Sequence, residues 1–314
     1  MTHFRVYSSV TQSKDTVTYL AKFITSVLLF LSCTCAYSQN ANPTCPLVAK
    51  TTAIEGGVIS YLEGGKGEPI LLLHGLFAQK EQWMEVGCAL AISGFDVIAP
   101  DLPGYGASTG YAVTVYPLEA QVNILHQLME RISGRAFHIA GSSMGGAIAS
   151  IYANQYPQEI KTLAFIGAPL GIITWSPQVK QSIFQGVNPF IPINNEQFDL
   201  EMRLLFYKPP MIDETVKSQL VKEYVVNNRH YQQVWDIVSF YGASLDRQIT
   251  QSPKTLILWG KQDGIFDIAG LPLLQKRFPN SKAYPFSNAA HLLMLEQPNQ
   301  VIDIYKKFLR PQIH

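Results

Sequence analysis

Gly141-Ser142-Ser143-Met144-Gly145 is the segment of this chain most suited to chemistry. It sits between an apolar run at 137–140 and a stretch of small residues at 147–153, so G-x-S-x-G falls where a strand turns sharply into a helix. Such a turn strains the central residue and lifts its hydroxyl clear of the backbone; side chains at 141 or 145 would collide with neighbouring main chain. Ser143 is the candidate nucleophile. Ser142 is out of phase with the glycines and is assigned only packing or a local hydrogen bond. A serine hydroxyl attacks only when a base takes its proton, and that base needs a carboxylate to fix its tautomer. With a nucleophile on such a turn, the partners follow in the order acid, then histidine. His291, in Phe286-Ser-Asn-Ala-Ala-His291, stands just past a predicted strand at 282–286, whereas His314 is the last residue. Asp263 lies directly beyond the apolar run at 256–259. Asp267 is its competitor one turn later, where it also suits the N-cap of a helix beginning at Ile268. Two backbone N–H groups are needed to hold a developing oxyanion: Met144 supplies one, and Leu76, with Phe77 as second choice, the other. His74 is then a structural loop residue rather than a rival base.

The elements that must position these groups are written in the hydrophobic pattern. Unbroken apolar runs at 70–73, 97–99, 137–140, 163–166 and 256–259 predict strands buried on both faces, as in a mostly parallel sheet covered by helices. Each run ends in a Gly, His or Asp cluster, which puts the chemistry at the carboxyl ends of the strands. Leu118, Val122, Leu125, Met129 and Ile132 form one helical stripe, and Val301, Ile304, Tyr305, Phe308 and Leu309 another. The segment 170–248 breaks this alternation, being punctuated by Pro and rich in Phe and Tyr. It predicts a helical cap inserted into a core made of 39–169 and 249–314. Phe190, Phe206 and Met211 from the cap, with Phe77 from the loop after residue 73, are the candidate pocket residues.

The first 38 residues have a different character. A weakly basic start with Arg5, Lys14 and Lys22 leads into a short apolar stretch at 23–31 and then Ala36-Tyr37-Ser38, the pattern of an export signal cleaved before Gln39. An uncleaved anchor, or a lipid on Cys33 or Cys35, is the alternative. Removing that segment leaves Cys45 and Cys88. They either pair in an oxidising compartment or stand apart, with Cys88 buried in an apolar helix. Of the 314 residues 47% are hydrophobic and 15% charged, enough apolar material to offset the ordering entropy of a large domain. With 24 Lys and Arg against 23 Asp and Glu and no basic run, nucleic acid is excluded as a partner. The absence of H-E-x-x-H, Walker A and G-x-G-x-x-G patterns leaves metal, nucleotide and nicotinamide chemistry unsupported, so no metal or cofactor is expected. Membrane-surface contact and oligomeric state are left open.

Taken together, His74-Gly-Leu-Phe, Asp101-Leu-Pro-Gly-Tyr-Gly-Ala-Ser108, Gly-Ser-Ser143-Met-Gly-Gly, Trp259-Gly-Lys-Gln-Asp263 and Ala-His291 resemble the α/β-hydrolase superfamily over nearly all of 58–310. Within it, His74-Gly with Lys80-Glu-Gln-Trp83, Ser-Met-Gly-Gly and Trp-Gly-Lys-Gln-Asp are similar to the monoacylglycerol lipases with an α/β-hydrolase domain. Phe206-Tyr-Lys-Pro-Pro210 resembles exported bacterial lipases of the same branch. One departure is Ala290, where relatives often carry Gly. The resemblance implies an α/β-hydrolase fold and a serine esterase or lipase working through an acyl-enzyme on Ser143. The apolar bulk of the cap adds neutral esters with medium-to-long acyl chains, such as monoacylglycerols. Other Ser-based members of the superfamily (C–C bond hydrolases, lactonases, perhydrolases, acyltransferases) and a ligand sensor on the same fold are the alternatives.

Overall fold

The computed structural model describes residues 44–171, 174–241 and 252–310; the expected export signal, Ile172, Ile173 and His314 lie outside them. The sequence alternates strand and helix, and the strands assemble into one sheet of eight in the order β1-β2-β4-β3-β5-β6-β7-β8. In chain order these are β1 (Val48–Ile54), β2 (Gly57–Gly65), β3 (Glu68–Leu73), β4 (Phe95–Pro100), β5 (Phe137–Gly141), β6 (Ile160–Ile166), β7 (Lys254–Gly260) and β8 (Ser281–Phe286). From β4 onward every pairing is parallel, while β1 and β2 join antiparallel at one edge. The predicted strands are all present. The first two carry no unbroken apolar run, because an antiparallel edge leaves much of its surface in water; β1 is exposed at four of its first five positions.

Side-chain alternation along the central strands feeds two separate cores. Leu71, Leu73, Ile139, Leu163, Phe165, Ile257 and Trp259 point to one face, while Ile70, Leu72, Ala140, Ala164, Ile166, Leu256 and Leu258 point to the other. Helix α1 (Met84–Ile92) packs Val86 and Leu90 on the second face. Helices α2 (Leu118–Ile132) and α3 (Met144–Gln155) cover the first, with Leu118, Val122, Leu125 and Met129 inward as their spacing predicts.

Among the described residues four helices fall between β6 and β7: α4 (Pro177–Phe184), α5 (Asn195–Leu205), α6 (Glu214–Val226) and α7 (Asn228–Tyr241). Three begin on side-chain caps, Ser176, Asn194 and Asp213 accepting from the N–H groups of Val179, Gln197 and Thr215. Phe198, Met202, Leu220, Val221 and Tyr224 give this layer a small core of its own. After β7 come α8 (Leu271–Arg277), α9 (Leu293–Glu296) and α10 (Pro298–Leu309), the last placing Val301, Tyr305 and Phe308 in the second core. Among the described residues no helix is long and apolar enough to cross a membrane.

Cys45 and Cys88 form a disulfide, with Cα atoms 5.1 Å apart, tying the segment before β1 to α1. Their sequence separation of 43 closes a large loop, for which the chain-entropy account gives about 4 kcal/mol. Reduction, or Cys88→Ser, is therefore expected to lower the unfolding free energy by a few kcal/mol. Denaturant titration with and without a reducing agent measures this, and coincident curves would show that the link does not constrain the unfolded chain.

Candidate active site

Ser143 stands at the junction of β5 and α3 with φ 51° and ψ −117°, a backbone conformation that an L residue occupies only under constraint. The constraint is steric. A Cβ on Gly141 would strike the carbonyl of Gly145, and one on Gly145 would strike the carbonyl oxygens of Leu73 and His74, so both glycines of the motif are required by close backbone approach. Gly145 N–H donates to Ser142 O at 2.8 Å, and Leu170 N–H to Ser143 O at 3.0 Å, fixing the turn from both sides.

Asp263 follows the end of β7, and its side chain is fully shielded from solvent. Four donors meet its carboxylate: Ile265 and Phe266 N–H on Oδ1 at 2.8 and 3.1 Å, and Trp259 Nε1–H and His291 Nδ1–H on Oδ2 at 3.1 and 2.9 Å. They compensate its removal from water. With Nδ1 committed to Asp263, the imidazole of His291 has Nε2 left for the cavity that it lines together with Ser143. Asp267 is engaged elsewhere, its side chain accepting from Ala269 N–H at 2.9 Å as the cap of a short 3-10 turn.

His74 is a loop brace. Its Nδ1–H donates to Gly75 O at 2.8 Å and its Nε2 accepts from Leu102 N–H at 3.0 Å. Burial pulls its pKa down to about 4, so the ring is neutral near pH 7. Beside it Gly75 N–H donates to Gln82 Oε1 at 3.1 Å, and the next residue, Leu76, lines the cavity. Met144 opens α3, so its N–H has no acceptor within the helix. Phe77 has φ 57° and also lines the cavity.

The cavity wall includes the candidate pocket residues Phe77 and Phe190, and Leu76, together with Leu170, Trp175, Phe198, Met202, Leu205, Ile212 and Leu220. Two residues expected there stand elsewhere. Met211 follows Pro209-Pro210 in the connection between α5 and α6 and is 93% exposed. Phe206, at the end of α5, is buried in the small core of the helical layer instead of on the wall. Polar residues not assigned to the site from sequence also reach the cavity: Gln79, Glu81 and Gln82 after β3, and Glu201 and Tyr224 from α5 and α6. The signal was present in the spacing: Glu201 falls between Phe198, Met202 and Leu205 on the apolar stripe of α5.

Other groups that hold the site are separated too far in sequence to be paired by reading it. Lys80 Nζ lies 2.7 Å from Asp101 Oδ2, with Lys80 N–H and Ala107 N–H also donating to this fully buried carboxylate. Burial opposes the charge on Lys80, yet its attraction to Asp101 raises the pKa above the usual value. The pair binds the loop after β3 to the loop after β4. At the other end, the carbonyls terminating α5 hold the loops of Asp263 and His291: Leu204 O accepts from Gly264 N–H and Leu205 O from His291 N–H, both at 3.1 Å. Glu296 joins the same region by accepting from Ala290 N–H at 2.6 Å and Tyr207 N–H at 2.7 Å. Among the described residues no cluster of three His, Cys, Asp or Glu could hold a metal ion.

The α/β-hydrolase fold family matches residues 68–298 of this chain. Lipase 1 of Psychrobacter immobilis is 30% identical over 270 residues, covering 83% of each chain. Monoacylglycerol lipase ABHD6 of Homo sapiens is 27% identical over 258 residues, covering 78% of this chain and 76% of its own. Among solved structures, a bacterial membrane phospholipase A superposes with a TM-score of 0.79 at 24% identity, covering 94% of this chain and 92% of its own. At that identity it shows the shared fold alone.

Gly264 approaches the end of α5 so closely that a Cβ there would lie 2.7 Å from Leu204 O. Gly264→Ala is expected to push this helix end off the acid loop and lower stability by about 1–3 kcal/mol. Thermal unfolding checks it, and an unchanged midpoint would mean that the helix end and the loop move apart freely.

Proposed function

The chain belongs to the α/β-hydrolase fold family, and from that premise we propose that it hydrolyses neutral carboxylic esters through Ser143, His291 and Asp263. It is a serine hydrolase acting on ester bonds, and its curated relatives are lipases. The observation that carries the finer reading is the shared cavity of Ser143 and His291, with the far nitrogen of His291 tied to Asp263 at 2.9 Å. In the proposed reaction His291 Nε2 takes the proton of Ser143 as its Oγ adds to the ester carbonyl. The N–H groups of Leu76 and Met144 hold the oxyanion. Collapse breaks the bond to the alcohol, which leaves with the proton from His291, and water activated by the same imidazole then frees the acid. Among the described residues that line the cavity none is Lys or Arg, and most are apolar, which suits an uncharged chain over an anionic one. Each methylene buried there contributes up to about 0.8 kcal/mol, so longer acyl chains gain. The 38-residue leader read from the sequence adds export, with Gln39 as the first mature residue.

Fluorophosphonate labelling with mass spectrometry is expected to mark Ser143, and Ser143→Ala to lose about 10⁵-fold or more in turnover while folding normally. Asp263→Asn should cost about 10⁴-fold through the wrong histidine tautomer, and Asp267→Asn little beyond a cap. Wild-type turnover in the serine variant would end the proposal, and the reverse ranking of the aspartates would transfer the acid role.

A panel of p-nitrophenyl esters and monoacylglycerols graded by acyl length is expected to show kcat/KM rising beyond the acetyl ester. Protein for that panel is best recovered from outside the cytoplasm, where N-terminal sequencing should begin at Gln39. A preference for acetyl esters would point to a small-substrate esterase or perhydrolase, and an intact leader found only in membranes to an anchor.

A further inference from the structure

Helix α5 buries a carboxyl group in a position where packing alone asks for an apolar side chain. Glu201 is 5% exposed, it lines the cavity, and its neighbours on the helix stripe are Phe198, Met202 and Leu205. Across the cavity lining, Tyr224 of α6 donates its O–H to Glu201 Oε1 at 3.3 Å and is itself buried. Glu201 Oε2 is buried with no hydrogen-bond partner among the described residues. Among the described residues no Lys, Arg or His is bonded to either oxygen, and burial pushes the acid up to about 8. Near pH 7 it is therefore a neutral carboxylic acid, with one oxygen occupied by Tyr224 and an O–H still to place. A buried polar atom without a partner is costly unless something that enters the cavity supplies one.

We propose that Glu201 and Tyr224 form a hydroxyl-binding site at the cap end of the cavity, making Glu201 a specificity-determining residue for esters that carry a hydroxyl on the part seated there. A hydroxyl matches the pair because it accepts from the Glu201 O–H and has a hydrogen of its own to offer the oxygens beside it. Most of the remaining wall is apolar and none of its described residues is Lys or Arg; beyond Ser142, Ser143 and His291 its other polar members are Gln79, Glu81 and Gln82, so the pair is one of few polar anchors able to orient a chain there. Sites built to bond a substrate hydroxyl discriminate strongly against the analogue that lacks it, since the buried protein groups are then left unpaired. The hydroxyl can belong to the alcohol side of the ester, as in a monoacylglycerol, or to the acyl chain.

This inference rests on the ester-hydrolase reading, so the test uses three esters of equal acyl length: methyl decanoate, methyl ω-hydroxydecanoate and monodecanoylglycerol. The wild-type enzyme is expected to prefer at least one hydroxyl ester over methyl decanoate, and the preferred one tells which side of the ester reaches Glu201. Glu201→Leu should reduce that preference, as a ratio of kcat/KM values, by about tenfold, chiefly through KM. Glu201→Gln, which keeps a donor and an acceptor in the same shape, should retain it within about threefold. If the leucine variant does not fold, Tyr224→Phe carries the same test, with an expected fall in the ratio of about threefold. Hydrolysis of methyl decanoate with no hydroxyl preference in the wild type, or with a preference unchanged by Glu201→Leu or by Tyr224→Phe, would overturn the hydroxyl site and leave the esterase reading standing. No turnover of any of the three would overturn that reading as well.

Discussion

Gly145 lies so near the carbonyl oxygens of Leu73 and His74 that no side chain fits between helix α3 and the end of strand β3. That approach lets α3 start directly beneath the sheet edge, and it leaves Ser143 no conformation but one with positive φ. The strain has to be met by surrounding structure. It is met by β5, buried at every residue and paired with β3 and β6, and by hydrogen bonds from Gly145 and Leu170 across the turn. A rigid parallel sheet is suited to hold such a residue, since each central strand is clamped by neighbours on both sides and by a core on both faces.

The residues proposed to act with Ser143 are held less directly. Asp263 and His291 sit on loops after β7 and β8, and each loop is tied to the last turn of α5, an element that belongs to the inserted helices. The open carbonyls at a helix C-terminus need donors, and the two loops supply them. Gly260 serves the same end from the sheet, since a Cβ there would collide with the carbonyls of Ala289 and Ala290. The helical layer thus braces the loops of Asp263 and His291 as well as walling the cavity. Glu296 strengthens that brace by bonding Ala290 and Tyr207 at once.

Buried polar groups divide by whether their bonds are complete. Asp101 with Lys80, and His74 with Gly75 and Leu102, have matched partners and lock loops together at the sheet edge. Removing one member of such a pair leaves a buried group without compensation, which costs more than the intact pair contributes. Glu201 is the contrasting case: half satisfied, at the wall of a space that a ligand can fill.

Much of this was already determined by the sequence. Apolar runs bounded by Gly, His and Asp specify buried parallel strands and the edge where chemistry belongs, because burial on two faces favours apolar residues and admits a polar one such as His138 only with partners, here Thr162 and Glu68. The elbow motif, Asp263 beyond its strand and His291 beyond the next follow from the same logic, since chain order and strand ends are one-dimensional properties. The tertiary structure alone decided what depends on residues far apart in the chain. Lys80 meets Asp101, and Leu204 and Leu205 meet the loops of Asp263 and His291, through folded geometry that no local pattern encodes. Cys45 and Cys88 become a pair because the segment before β1 passes over α1, a matter of path and not of spacing. The same holds for the pocket: Phe190, Phe206 and Met211 are alike as apolar residues of the inserted segment, yet they end on the cavity wall, in a separate core and in solvent. Apolar character fixes the tendency to leave water, while the neighbour against which each side chain does so is set by how the helices cross.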